Sequence, residues 1–147
     1  MKKVILLSSL LLSLCASAQH SNNNENGTKG SAIGDVIISE IMADPSPAVK
    51  LPAREYLEIT NRTADSLSLE GWILIATNDT AYLPKAWIRP GEYIILCSSS
   101  GKAELSFYGR VICPPSFPSL NDGGELIVLR DAGGSLIHAV SYTPEFF

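Results

Sequence analysis

Residues 55–77, Glu55-Tyr56-Leu57-Glu58-Ile59-Thr60-Asn61-Arg62-Thr63-Ala64-Asp65-Ser66-Leu67-Ser68-Leu69-Glu70-Gly71-Trp72-Ile73-Leu74-Ile75-Ala76-Thr77, set two apolar, β-branched and aromatic runs on either side of a polar stretch. Side chains of this kind favour extended, half-buried backbone, so residues 56–60 and 72–77 read as strands and residues 67–69 as a weaker one. Gly71 permits a turn or a close approach immediately before a strand. Trp72 is large enough to fill the space between two sheets, burying on the order of 200 Å². The same texture continues outward. Strong runs occupy Val36–Met42, Tyr93–Cys97, 126–130 and Leu136–Tyr142, with weaker ones at 80–83, 86–88 and Arg110–Ile112. Between them lie Asp44-Pro45-Ser46-Pro47, Arg89-Pro90-Gly91, Cys113-Pro114-Pro115, Asn121-Asp122-Gly123-Gly124 and Asp131-Ala132-Gly133-Gly134. Pro90 and Gly91 suit the two central positions of a type II turn, where proline fixes φ and glycine accepts a positive one. No window sustains a 3.6-residue apolar period. The chain is therefore expected to be all-β, as a two-sheet sandwich. A membrane-spanning barrel is disfavoured, because its strands need about nine to eleven residues with only one apolar face. Here Ile73-Leu74-Ile75 and Tyr93-Ile94-Ile95-Leu96 are apolar on both faces.

The chain has 147 residues and a formal charge of −4, which bounds it to one domain. Lys2 and Lys3, the apolar run from Val4 to Leu14, and Ala16-Ser17-Ala18 have the three parts of a secretory signal peptide, with cleavage expected between Ala18 and Gln19. Acylation at Cys15 is the lesser alternative, because Leu14 stands where a lipoprotein peptidase prefers a small residue. Residues 19–34 are rich in Asn, Gly and Ser and read as a flexible polar tether. The domain proper is then 35–147. Loss of the leader takes two of the eleven basic residues and leaves all fifteen acidic ones, a charge of about −6. That balance argues against a phosphate-binding surface, and so against nucleic-acid partners. No further segment reads as transmembrane.

Three segments together resemble the lamin tail domain, an immunoglobulin-like module found at the end of nuclear lamins and in secreted bacterial proteins. They are Val36-Ile37-Ile38-Ser39-Glu40-Ile41-Met42-Ala43-Asp44-Pro45, the stretch 55–74 quoted above, and Ile88-Arg89-Pro90-Gly91-Glu92-Tyr93-Ile94-Ile95-Leu96. Residues 117–126 and Val140-Ser141-Tyr142 continue the likeness. The resemblance covers about 35–142, is similar in flavour to members from the Bacteroidota, and implies an immunoglobulin-like two-sheet sandwich. Asp65-Ser66-Leu67 and Asp79-Thr80-Ala81 are similar to the signal that Bacteroidota use for O-glycosylation of exported proteins, which makes Ser66 and Thr80 candidate modified residues.

Reactive residues are few. Cys97 and Cys113 fall at the ends of expected strands and form either a disulfide or a pair of buried thiols. His138 lies in an apolar strand and reads as a packed residue rather than the base a cysteine nucleophile would need. Two cysteines and one histidine without short-range pairing do not make a zinc site. Glu55 and Glu58 are expected on opposite sides of a sheet, and the loops 121–125 and 131–134 lack the alternating ligands of a calcium loop. No catalytic residue, metal or cofactor is expected. The reading is a secreted, non-enzymatic binding or structural module of a bacterial cell envelope. Its partners would be proteins or glycans, met through exposed aromatics among Phe117, Tyr108 and Tyr82. The expected location is the periplasm, cell surface or medium. The alternatives are an accessory domain, a weak calcium-dependent hydrolase or nuclease associate, or a fragment of a larger surface protein.

Overall fold

The computed structural model describes residues 4–5, 31–46, 51–77 and 79–146. Eleven strands are present among them. In chain order they are β1 (Val4–Ile5), β2 (Val36–Met42), β3 (Tyr56–Asn61), β4 (Leu67–Ser68), β5 (Ile73–Ala76), β6 (Asp79–Tyr82), β7 (Trp87–Ile88), β8 (Tyr93–Cys97), β9 (Arg110–Ile112), β10 (Glu125–Arg130) and β11 (Leu136–Tyr142). One sheet runs β1-β2-β3-β8-β9 and the other β11-β10-β5-β6, while β4 and β7 form a two-stranded ribbon. Every pairing is antiparallel except β8 with β9, which are joined by a crossover through a 3₁₀ turn at Ser99–Gly101 and the short helix α1, Lys102–Leu105.

The two large sheets face each other across one core. Val36, Ile38, Ile41, Leu57, Ile59, Ile94 and Leu96 from the first meet Leu74, Ala81, Ile127, Leu129 and Ile137 from the second. Trp72, 3% exposed, enters this core where the turn from Leu69 leads into β5. Alternation along β5 is strict, with Leu74 and Ala76 inside and Ile73 and Ile75 half-buried.

The first sheet is apolar on its other face as well, and the structure shows why. Met42, Tyr56, Ile95 and Cys97 form a second, smaller core with Leu105 of α1, walled by Leu51, Val111 and Cys113. Arg54 ties the loop before β3 to α1 through two hydrogen bonds to Glu104 Oε1, at 3.0 and 2.7 Å. Both partners are well exposed, so the pair orients the cap more than it stabilises it. The helix leaves no periodic signature in the sequence because it is a single turn.

Both sheets carry a bulge where their edges meet. Ser39 is the extra residue between the Ile38–Ile59 and Glu40–Glu58 pairs, and its hydroxyl donates to Glu58 Oε1 at 2.8 Å. Ile137 is the extra residue between the Leu129–His138 and Arg130–Leu136 pairs. A bulged residue drops out of the ladder, so its backbone groups are free to bond elsewhere. The Ile137 carbonyl accepts the Gly34 N–H at 2.8 Å, and the Ile38 N–H donates to His138 Nδ1 at 3.2 Å. These two bonds lace β2 to β11 along one side of the sandwich.

Candidate contact surface

Large aromatic side chains normally bury their area, so an exposed one needs an account. Tyr82, Trp87, Tyr93, Phe107 and Tyr108 are all more than half exposed. Three of them stand on segments joined by one guanidinium. Arg110 Nη1 donates to the Trp87 carbonyl at 2.7 Å and to Glu92 Oε1 at 2.9 Å. Glu92 immediately precedes Tyr93, and Tyr108 lies two residues before Arg110. Glu92 also caps its own turn, accepting the Arg89 N–H at 2.7 Å. Burial pushes the Glu92 carboxyl upward, but the Arg89 amide and the Arg110 side chain outweigh it and hold the group below the usual carboxylate range. Arg110 therefore joins the Trp87 backbone to Glu92, the residue beside Tyr93, from the strand that follows Tyr108.

Tyr108 and Tyr82 are exposed as expected of contact residues, but Phe117 is not one of them: it is half-buried and packs against the main core. Trp87 and Tyr93 are exposed as well, beyond the aromatics expected from the sequence. Their signal was alternation against Ile88 and Ile94, which are fully buried neighbours. Gly71 and Gly91 both have positive φ, +74° and +68°, and each closes a four-residue turn: Trp72 N–H to Leu69 O and Glu92 N–H to Arg89 O. Ser66 and Thr80 are exposed, Thr80 on edge strand β6. Thr80 also lines an open cleft of about 210 Å³ with Asp79 and residues 116–119. The expected cleavage site at Ala18 and Gln19 lies outside the described residues.

Cys97 and Cys113 are free, with their sulfurs 3.9 Å apart. Cys97 is fully buried, and that burial, together with Cys113, pushes its thiol up to about 12. Glu55 and Glu58 serve different partners. Glu55 accepts from the Leu120 N–H and the Ser119 hydroxyl, whereas Glu58 accepts from Ser39. Burial raises the Glu55 carboxyl above its ordinary value. One side-chain oxygen in each Gly-rich loop closes its own turn: Asn121 Oδ1 accepts the Gly123 N–H and Asp131 Oδ1 the Ser135 N–H. No group of three or more candidate metal-ligating side chains exists among the described residues.

Three buried polar arrangements went unread in the sequence. The Tyr56 hydroxyl donates to Glu40 Oε1 on the outer face of the first sheet, and burial followed by Glu40 raises that phenol above its ordinary value. The Tyr142 hydroxyl donates to the Asn121 carbonyl at 2.8 Å and lies 3.1 Å from Glu125 Oε1, anchoring β11 to the loop before β10. Asn61, 1% exposed, uses its whole amide. Nδ2 donates to the Asp65 and Ile88 carbonyls at 2.7 and 3.1 Å, and Oδ1 accepts from the Thr63 N–H and hydroxyl at 2.9 and 2.8 Å.

The fold and these features define an immunoglobulin-like β-sandwich module, with a small capped core on its outer face. Over residues 29–144 the chain matches the model of the Lamin Tail Domain, and it belongs to that family. No curated protein matches it. No helix among the described residues is long and apolar enough to cross a membrane. Family membership defines the module; what it does rests on its own surface.

Proposed function

We propose that the chain is an exported, non-enzymatic binding module of a bacterial envelope, and that it meets a protein or glycan partner through Trp87, Tyr93 and Tyr108. The observation that carries this reading is that three exposed aromatic residues stand on segments tied together by Arg110. Trp, Tyr and Arg are the side chains most enriched at the energetic centres of interfaces, and the Trp and Tyr rings bring large area at low entropic cost. Holding their backbones in place before binding lowers the ordering cost further. Export is supported by the leader-like residues 1–18, and the exposed Ser66 and Thr80 remain acceptable to a glycosyltransferase on an exported domain.

The test is a pull-down from solubilised envelope using wild-type protein and the Trp87→Ala/Tyr93→Ala double variant. These are surface substitutions, so stability should change by no more than about 0.5 kcal/mol at each site. The expected result is a reproducible partner retained by the wild type and lost by the variant. Equal retention by both, or no partner for the wild type, refutes the proposal.

A further inference from the structure

We infer that Cys97 and Cys113 are a disulfide-forming pair, with Cys113 as the entry thiol and Cys97 as the resolving one, and that the bond clasps the crossover segment onto the sandwich. The register of the parallel pair ends at Leu96 opposite Ile112, so the two cysteines are the next residues along the same ladder. Their sulfurs are already 3.9 Å apart. Bond formation at about 2.05 Å needs a combined movement of under about 2 Å, within reach of side-chain rotation. The two thiols are unequal in access. Cys113 is half-buried, while Cys97 is sealed in the small core against Met42, Tyr56, Ile95 and Leu105. A bulky oxidant therefore reaches Cys113 first.

The chemistry balances with a disulfide donor, either a thiol–disulfide oxidoreductase or a small-molecule disulfide. The Cys113 thiolate attacks one donor sulfur, forming a mixed disulfide and releasing one donor thiol. Cys97, losing its proton, attacks Cys113 Sγ, closes the internal bond and releases the second donor thiol. Two cysteine thiols are oxidised, one donor disulfide is reduced, and the two protons leave on the released thiols.

What the bond would hold is specific. Residues 98–112 carry α1, which caps the small core, and Phe107 and Tyr108, two of the exposed aromatics. The clasp pins both ends of that segment to one point.

The test uses the full chain with Cys15→Ser, so that only these two thiols remain. Reduced protein is incubated under native conditions with oxidised glutathione and followed by intact mass, thiol titration and peptide mapping. The expected product has lost two hydrogen atoms, contains a Cys97–Cys113 cross-link, and melts about 10 °C higher than the reduced form. Dithiothreitol reverses the change. Cys97→Ser in the same background should stop at a glutathione adduct on Cys113, and Cys113→Ser should leave Cys97 unmodified. The inference is overturned if glutathione stays on Cys113 in the parent, if both thiols stay free until the protein is unfolded, or if Cys97 reacts in the Cys113→Ser variant.

Discussion

Asn61→Ala should destabilise the domain by about 3 kcal/mol without touching its surface. The side chain is buried and its four hydrogen bonds tie the end of β3 to the 62–66 turn and to β7. The losses are unequal. Asp65 is exposed and Thr63 half-exposed, so water can replace much of what those groups give up, at about 0.5 kcal/mol for each broken bond. The Ile88 carbonyl belongs to a fully buried residue that also pairs with Leu67 in the β4–β7 ribbon, so it keeps a ladder partner and loses one buried bond, at about 1.5 kcal/mol. The backbone of Asn61 stays in place, since its N–H donates to Glu92 O and its carbonyl accepts the Gly91 N–H. Urea unfolding followed by Trp72 fluorescence, with Trp87 replaced by phenylalanine to leave one buried reporter, measures the change directly. Asn61→Asp sharpens the test, because it keeps both acceptor contacts to Thr63 but turns a carboxylate oxygen toward two carbonyls. That variant should be at least as unstable as the alanine at neutral pH and should recover part of the loss when acidified, as its carboxyl protonates. A loss below about 1 kcal/mol for Asn61→Ala would falsify the argument that this amide is the knot of the β3–β7 region.

Two further outcomes follow from single contacts. Gly124 has φ of +92°, and a Cβ there would lie 2.4 Å from the Tyr142 carbonyl oxygen and 2.8 Å from Thr143 Cα. Those are backbone atoms at the last residue of β11 and the residue after it, so Gly124→Ala should cost more than about 3 kcal/mol, or fail to yield folded protein, as read by circular dichroism. His138 sits below its ordinary value because of burial and, secondarily, Arg62. The folded state thus prefers the neutral ring, whose Nδ1 accepts the Ile38 N–H. Stability from this group is present above about pH 6.5 and is lost as pH falls from there through the lower folded value. Melting temperature should decline over that window in the wild type and much less in His138→Gln, and parallel slopes would contradict the assignment.

The strands were legible because their residues obey two local rules at once. Val36–Met42 and Tyr93–Cys97 are dense in branched and aromatic side chains, and Pro90-Gly91 and Asn121-Asp122-Gly123-Gly124 punctuate them where the chain reverses. What could not be read is what covers each face. Ile95 and Cys97 look the same in sequence as Ile94 and Leu96, yet they point into a different core, closed by a four-residue helix too short to show a period. The contact surface was half legible for a related reason. Composition names aromatic residues, but only the pairing of β4 with β7 decides that Ile88 turns inward and Trp87 outward. Phe117 illustrates the reverse, a ring in a Pro-rich loop that folds back onto the core. Asn61 gave no signal, since a polar residue ending a strand reads as the start of a loop.

The lacing of β2 to β11 has a consequence for how this domain behaves in a crowd. An open sandwich offers the rims of its sheets as templates on which other chains can stack, and long flat rims invite fibrils. Here Ile38 of β2 and Gly34 just before that strand spend their amides on β11, and each of these two strands is interrupted by a bulge at that seam. The opposite rims are short, four residues of β6 bearing Asp79 and three of β9 beginning with the charged Arg110. Many copies could therefore stand side by side at high local density, displaying their aromatic faces, without their sheets fusing into one another.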